Sequence, residues 1–163
     1  MTDTARADQP GEIALPHVTP GSIVVGHDGS PHADIALGEA LDLAQRLNVA
    51  VAVVRTWSID TAPTGSIVKD GYVASYQEIS ETVRAELEKQ TAPLARSHPR
   101  VTIEYFGILG RPADVLIRLS HEALMLVIGR RGLGGFAGLL VGSVSTHCVH
   151  RAACPTLVVP AQS

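Results

Sequence analysis

A glycine-rich stretch near the end of the chain carries the clearest chemical signal in the sequence. Gly129, Gly132 and Gly142 are followed by Ser143 in the spacing G-x2-G-x9-G-S, between an apolar run and a helix-forming segment. Glycines allow a loop backbone to approach a ligand closely. The first turn of the following helix would add unpaired N–H groups and the positive end of the helix dipole. The pattern therefore predicts an anion-binding loop that could hold a phosphate.

Cationic and hydroxyl side chains flank this loop. Arg130 and Arg131 follow the first glycine, while Ser143 and Ser145 open the helix, with Ser143 as the predicted N-cap. The loop is not a Walker A motif, which needs a lysine before the serine, and it does not fit the GxGxxG pattern. A polyphosphate thus fits better than a hydride-carrying cofactor. The alternative is that a glycine-rich connection simply turns the chain.

Composition limits the classes of protein to consider. The chain has 163 residues, of which 45% are hydrophobic and 18% charged, so one domain with a sizeable core is expected. A formal net charge of −3 argues against a general nucleic-acid or anionic-membrane surface. Residues 1–20 are polar and interrupted by prolines, which predicts a disordered leader before a domain over 21–163. Without an apolar signal or span, a cytoplasmic location is predicted.

Apolar periodicity predicts an alternation of strands and helices. The predicted strands are 22–25, 49–56, 101–109, 124–128 and 154–160, and the predicted helices are 31–47, 72–94, 112–123 and one beginning near 143. This order predicts an α/β fold with an open, mainly parallel five-stranded sheet and helices on both faces. The first and fourth strands can then be neighbours, so the turns after them would open on one crevice.

The turn after the first strand contains a second polar candidate, Asp28. Taken alone, Asp28 would be a turn residue and the N-cap of the first helix. Two other groups have weaker signals. The seven histidines show no convincing metal-ligand spacing, so no metal ligand is predicted, and Cys148 and Cys154 lack a CxxC spacing and are expected to be buried and reduced.

From about Gly21 to Pro160 the chain resembles the nucleotide-binding branch of the universal stress protein family. The motifs that carry the resemblance are VVGHDGS, GRPADVLI, VIGRRGLGGFAGLLVGSVS and the ending CPTLVV. The resemblance implies a Rossmann-like sheet and ATP binding without efficient catalysis. It also implies a homodimer that pairs the last strand, Thr156 to Val159, antiparallel with its copy.

The same resemblance implies which residues contact the nucleotide. They are Gly26, His27, Asp28, Thr56, Ile128, Gly129, Arg130, Gly132, Gly142, Ser143, Val144 and Ser145. Asp28 would lie by the adenosine, with Gly26 and His27 contributing backbone. Thr56 and Ile128 would flank the adenine. The three loop glycines would surround the phosphates, and the helix start would supply N–H and hydroxyl donors.

Two positions depart from the family pattern. The family commonly has Asp where this chain has Leu124, and often Ser or Thr where it has Arg130. Leu124 is expected to affect only solvation or capping. Arg130 is expected to make a charge-assisted contact to a phosphate, since the loop is already suited to anions.

These expectations define competing functions. The leading hypothesis is a cytoplasmic ATP-binding stress-response regulatory protein, in which nucleotide occupancy, with or without Mg²⁺ or Mn²⁺, changes conformation or partners. A variant binds cyclic AMP instead. The second class is a slow ATPase or phosphotransferase, against which stands the absence of Asp and Glu between Gly129 and Arg151. The third is a nucleotide-free structural dimer. No nucleic acid or membrane partner is expected.

Overall fold

The computed structural model describes residues 14–132 and 141–161. It confirms the predicted alternation of strands and helices and adds one short hairpin. The elements are β1 (Ile23–Gly26), α1 (Pro31–Leu47), β2 (Val51–Trp57), β3 (Val68–Lys69), β4 (Tyr72–Val73), α2 (Tyr76–Ser97), β5 (Ile103–Leu109), α3 (Pro112–Leu119), β6 (Met125–Gly129), α4 (Ser143–Arg151) and β7 (Thr156–Val159). Residues 133–140 of the glycine-rich stretch lie outside the described part of the chain.

The main sheet has five strands in the order β5-β2-β1-β6-β7, and all four pairings are parallel. The connection from β1 to β2 moves in one direction along the sheet and the connection from β6 to β7 moves in the other. The winding therefore reverses between β1 and β6, as predicted for the first and fourth strands. A crevice opens at the carboxyl ends of strands at such a point.

Helices cover both faces of the sheet, also as predicted. On one face, α1 packs with Leu37 and Leu41 against Ile23, Val25 and the neighbouring strands, and Leu87 of α2 joins the same cluster. On the other face, α3 and α4 pack against the alternate strand residues, through a cluster that includes Val24, Leu116 and Cys148. Burial on both faces explains why the central strands are continuous apolar runs.

The N-caps of α1 and α4 are not the residues that the sequence suggested. Ser30, and not Asp28, is the N-cap of α1, because its side chain accepts a hydrogen bond from Ala33 N. Ser143 was predicted as the N-cap of α4, but Gly142 occupies that position with extended backbone, and its carbonyl accepts from Thr146 N. Ser143 is thus the first helical residue.

The predicted start of the second long helix at residue 72 is wrong. Residues 68–73 form the β3–β4 hairpin, whose turn residues Asp70 and Gly71 both have positive φ. An Asp-Gly pair is a preferred two-residue hairpin turn. Helix α2 begins only at Tyr76, after a capping box between Ser75 and Glu78. Val73, which the predicted helix over 72–94 included, lies in the hairpin and is 75% exposed.

The segment before β1 also differs from its prediction. Val18 is buried among the residues beneath α3, and Thr19 N donates to Glu104 Oε2 at 3.1 Å. Leu15 and Val18 therefore pack on the domain, although they were assigned to a disordered leader, because Val18 fills part of the core. Residues 1–13 lie outside the described part.

The two cysteines differ in burial. Cys148 is fully buried, and burial raises the pKa of its thiol to about 11, whereas Cys154 is only half-buried because it lies outside the sheet at the approach to β7. Both are free thiols, but the prediction that both would be buried is wrong for Cys154. Within residues 14–132 and 141–161, no helix combines the length and apolarity needed to cross a membrane.

Candidate functional site

The turn after β1 begins with a tightly enclosed glycine. A Cβ atom built on Gly26 would lie 2.8 Å from Leu116 Cδ1 and 3.3 Å from Ile128 Cγ2. Gly26 thus lets α3 and β6 approach the end of β1 closely. His27 follows, with its backbone N–H bonded to Val54 O at 2.9 Å, and the chain then leaves the sheet at Asp28.

Hydrogen bonds from side chains of the turn and of α2 hold the backbone of this turn. Ser30 N donates to Asp28 Oδ1 at 2.9 Å, and Gly29 N donates to His27 Nδ1 at 3.2 Å. Gly29 has a φ of +89°, which favours glycine. Gln90 of α2 donates from Nε2 to Gly29 O at 3.2 Å. The turn is therefore held at both its N–H and C=O groups by side chains.

The His27 side chain is fully buried and has a partner at each ring nitrogen. Nε2 lies 2.9 Å from Asp34 Oδ1, and Nδ1 lies 2.9 Å from Arg55 Nη2. Burial lowers the pKa of His27, and the Arg55 charge lowers it further against the opposing effects of Asp34 and Asp28. The geometry fits a neutral imidazole that donates from Nε2 and accepts at Nδ1.

Arg55 is the central residue of the network, and sequence reasoning did not select it. Its Nε donates to His27 O at 3.2 Å, and its Nη2 donates to Gln90 Oε1 at 2.8 Å. Burial lowers the pKa of Arg55, and the carboxylates of Asp28, Glu86 and Asp34 oppose that shift. The signal available in the sequence was the one charged residue in the strand VAVVRTW.

The loop after β6 is closed at its two ends by backbone bonds. Arg130 N donates to Val159 O at 2.8 Å, and Gly142 N donates to Arg130 O at 2.9 Å. The Ser145 hydroxyl donates to Gly129 O at 2.9 Å. This hydroxyl was expected to face a phosphate, but here it ties the start of α4 to the end of β6.

The two turns meet directly, as the predicted crevice requires. A Cβ atom on Gly132 would overlap Asp28 Oδ2, and one on Gly129 would lie 3.2 Å from His32 O, in the first turn of α1. A Cβ on Gly142 would make only ordinary contacts, the nearest at 3.4 Å from Arg130 O. Gly129 and Gly132 are therefore required for the close approach, while Gly142 is not under the same constraint.

Several donors in this loop have no partner within residues 14–132 and 141–161. The Nε atoms of Arg130 and Arg131 are buried and lack a hydrogen bond. The first backbone bond of α4 runs from Thr146 N to Gly142 O, so the N–H groups of Ser143, Val144 and Ser145 precede it. Two guanidinium groups and a helix start thus belong to the two ends of one loop, an arrangement that can bind an anion.

The residues predicted to flank an adenine lie on one face of the sheet. Ile128 is buried in the cluster under α3 and α4, and Thr56 is half-buried two residues after Val54, which belongs to the same cluster. Both stand at carboxyl ends of strands, on either side of β1. The residues described contain no cluster of three or more His, Cys, Asp and Glu that could hold a metal ion.

The family model described as "Universal stress protein family" matches residues 21–160. The chain belongs to the universal stress protein family. It is 34% identical over 148 residues to Universal stress protein Rv2623 of Mycobacterium tuberculosis (strain ATCC 25618 / H37Rv), a match covering 90% of this chain and 48% of that protein. This universal stress protein chain thus spans about half the length of the curated relatives it matches.

Solved universal stress proteins share the fold. The crystal structure of a universal stress protein in complex with cAMP has a TM-score of 0.64 at 23% identity and covers 89% of this chain and 100% of that chain. The universal stress protein from Archaeoglobus fulgidus in complex with dAMP has a TM-score of 0.59 at 20% identity, with 85% and 97% covered. The predicted family and its Rossmann-like fold are confirmed.

Proposed function

We propose that this chain is an adenine-nucleotide-binding regulatory domain whose ligand is ATP. The observation that carries the proposal is that the Nε atoms of Arg130 and Arg131 are buried and have no hydrogen-bond partner within residues 14–132 and 141–161. A buried donor without a partner costs about 1–3 kcal/mol. Phosphate oxygens would satisfy both guanidinium groups, so the residues present fit the ligand.

The adenine part of the proposal rests on the opposite side of the crevice and on the relatives. Two structural neighbours have cAMP and dAMP bound, and both ligands are adenine nucleotides. In this chain Asp28, with Gly26 and His27 beside it, would contact the adenosine, while Thr56 and Ile128 would flank the base. Because Gly132 lies against the Asp28 carboxylate, phosphates at the glycine loop would lie next to the sugar that Asp28 contacts.

ATP is favoured over cyclic AMP by the number of donors. Arg130 and Arg131 add two cationic groups to the N–H groups of Ser143, Val144 and Ser145, and a single cyclic phosphate, with one negative charge, cannot satisfy all of them. Gly129 and Gly142 would border the phosphates. A Mg²⁺ or Mn²⁺ ion would bind through the phosphates of ATP, and we assign no side chain to it. Efficient hydrolysis is not part of the proposal.

The regulatory role would be exercised through shape or partners in the cytoplasm, by the domain that contains the family match over residues 21–160. We also propose a homodimer through Thr156–Val159. Strand β7 stands at the end of the sheet, and Leu157 and Val158 are only half-buried. Self-pairing would cover this edge. Sedimentation of the purified protein should show a dimer, and a monomer at all concentrations would contradict this part.

The nucleotide is tested by releasing and identifying what the purified protein carries. The protein is denatured, the released small molecules are identified by chromatography and mass spectrometry, and the stripped protein is titrated with ATP and with cyclic AMP by calorimetry. Recovery of ATP, or tighter binding of ATP, supports the proposal. Tighter binding of cyclic AMP would replace ATP as the ligand, and no binding of either would leave the structural dimer.

A further inference from the structure

The turn that carries Asp28 depends on a residue one strand away. Asp28 accepts from Ser30 N, and the next residue, Gly29, is bonded through its N–H to His27 Nδ1 and through its C=O to Gln90 Nε2. Arg55 contacts both of these supporting side chains, at 2.9 Å from His27 Nδ1 and 2.8 Å from Gln90 Oε1. One guanidinium therefore fixes the two side chains that fix the turn.

The hydrogen bonds at His27 have a defined direction. Both partners of Nδ1, the Gly29 N–H and the Arg55 guanidinium, can only donate, so Nδ1 must present its lone pair. The proton then lies on Nε2, which faces Asp34 of α1. A protonated ring would place an N–H against two donors. The turn is therefore compatible with a neutral His27 and strained by a charged one.

The charged groups that act on His27 belong to α1, β2 and the turn, and one carboxylate of α2 acts on them indirectly. Asp34 belongs to α1, Arg55 to β2 and Asp28 to the turn itself, while Glu86 of α2 acts on Arg55. Arg55 is the cation of this set, and its charge disfavours protonation of the ring. It thus acts on the turn both by hydrogen bonding and by its charge.

We propose that Arg55 is a positioning residue for the nucleotide site, which acts through His27 and Gln90 to hold the Gly29 turn and hence Asp28 in the orientation that binds adenosine. This role rests on the proposed function. It has a consequence that a purely structural arginine would not have: nucleotide affinity falls at acid pH as His27 gains its second proton, and the midpoint of that fall depends on Arg55.

The test compares Arg55→Gln, which removes the charge, with Arg55→Lys, which keeps the charge but loses the planar fork of donors. Arg96→Gln is the matched control, because Arg96 is an exposed arginine in the last turn of α2. ATP affinity is measured by calorimetry from about pH 5 to pH 8, the range in which histidine changes charge. The titration of His27 is followed by NMR in the nucleotide-free protein.

We expect Arg55→Gln to weaken ATP binding roughly tenfold at neutral pH, the size of one lost hydrogen bond to a charged group. The His27 titration should move to higher pH, and the acid loss of ATP affinity should move with it. Arg55→Lys should weaken ATP binding, while the pKa of His27 stays lowered because the positive charge is kept. His27→Asn, which cannot protonate, should flatten the pH profile whatever its affinity at neutral pH.

The inference is overturned if Arg55→Gln and Arg55→Lys bind ATP as Arg96→Gln does and the His27 titration does not move. If Arg55→Gln fails to fold, the ATP affinity of Arg55→Lys and the pH profile of ATP binding by His27→Asn decide the question. A wild-type protein that binds no adenine nucleotide at any pH refutes the proposed function and this role together. Wild-type binding that is insensitive to Arg55 refutes the positioning role alone.

Discussion

The two turns that meet in the crevice differ in how their polar groups are satisfied. After β1, the Gly29 backbone and the His27 ring have partners within the protein. After β6, the Nε atoms of Arg130 and Arg131 are buried without a partner in the described part of the chain. The turn after β1 is thus held in place without a ligand. The loop after β6 has donors to which a ligand would supply hydrogen-bond acceptors.

This difference separates two contributions to binding. A turn held by its own hydrogen bonds reduces the conformational entropy lost when a ligand binds. Buried donors without partners instead raise the energy of the free protein, and an anion relieves that cost. Changes in the β1 turn should therefore alter stability and binding together. Changes in the β6 loop should alter binding more than stability.

The largest effect is expected when Arg130 and Arg131 are both replaced, since their Nε atoms are buried without a partner among the described residues. Arg130→Gln with Arg131→Gln should weaken ATP binding about a hundredfold, since each residue loses a charge-assisted bond worth at least about 1.4 kcal/mol. Calorimetric titration measures the loss. Binding of cyclic AMP should fall less, because one phosphate uses fewer donors.

The matched control for this pair is Arg100→Gln, which removes an exposed arginine before β5. The melting temperature of the double variant should not fall below that of the control, because the buried Nε atoms make no bond within the described residues of the free protein. Unchanged ATP affinity in the double variant would refute the placement of the phosphates.

A smaller effect is expected where the two turns touch. Gly132→Ala would place a Cβ against Asp28 Oδ2, so the carboxylate must move. We expect roughly tenfold weaker ATP binding and a loss of about 1 kcal/mol in the free energy of unfolding. Calorimetry and urea denaturation measure the two.

Gly142→Ala provides the comparison for that variant, since its Cβ would make only ordinary contacts. It should lose less affinity and less stability than Gly132→Ala. If Gly142→Ala loses as much ATP affinity and stability as Gly132→Ala, the contact between Gly132 and Asp28 does not explain the effect of Gly132→Ala.

The smallest effect concerns the pH dependence of stability, for which His27 and His98 form a natural pair. Burial lowers the pKa of His27, so the unfolded chain binds more protons there, and stability falls as the pH drops below the ordinary histidine value of 6.5. The pKa of His98 is raised by its bond to Leu94 O and by Asp42. His98 therefore adds stability below pH 6.5, which is lost as the pH rises through its raised pKa.

Urea denaturation over a pH series separates the two histidines. His27→Asn should make the acid loss of stability shallower, and His98→Asn should make it steeper. If stability depends on pH with the same slope in the two variants, neither ring has the environment described here. The contrast between His27, which resists protonation, and His98, which favours it, would then be wrong.

Much of the fold could be predicted because it depends on local patterns. The apolar runs at β1 and β6, the proline at the start of α1 and the glycine spacing after β6 are each visible over a few residues. The prediction failed where two local signals competed. Apolar spacing from residue 72 favoured a helix, but Asp70-Gly71 and the Ser75 capping box placed a hairpin there and delayed the helix.

The candidate site divides in the same way. Residue types and spacing identified the family and the two turns, and they predicted an anion-binding loop and a ligand contact at Asp28. Only the tertiary structure brought Arg55 under the turn, used the Ser145 hydroxyl to close the loop and placed Gly132 against Asp28. These contacts join residues from strands and helices far apart in the chain. Their distances follow from how the elements pack, which no short stretch of sequence encodes.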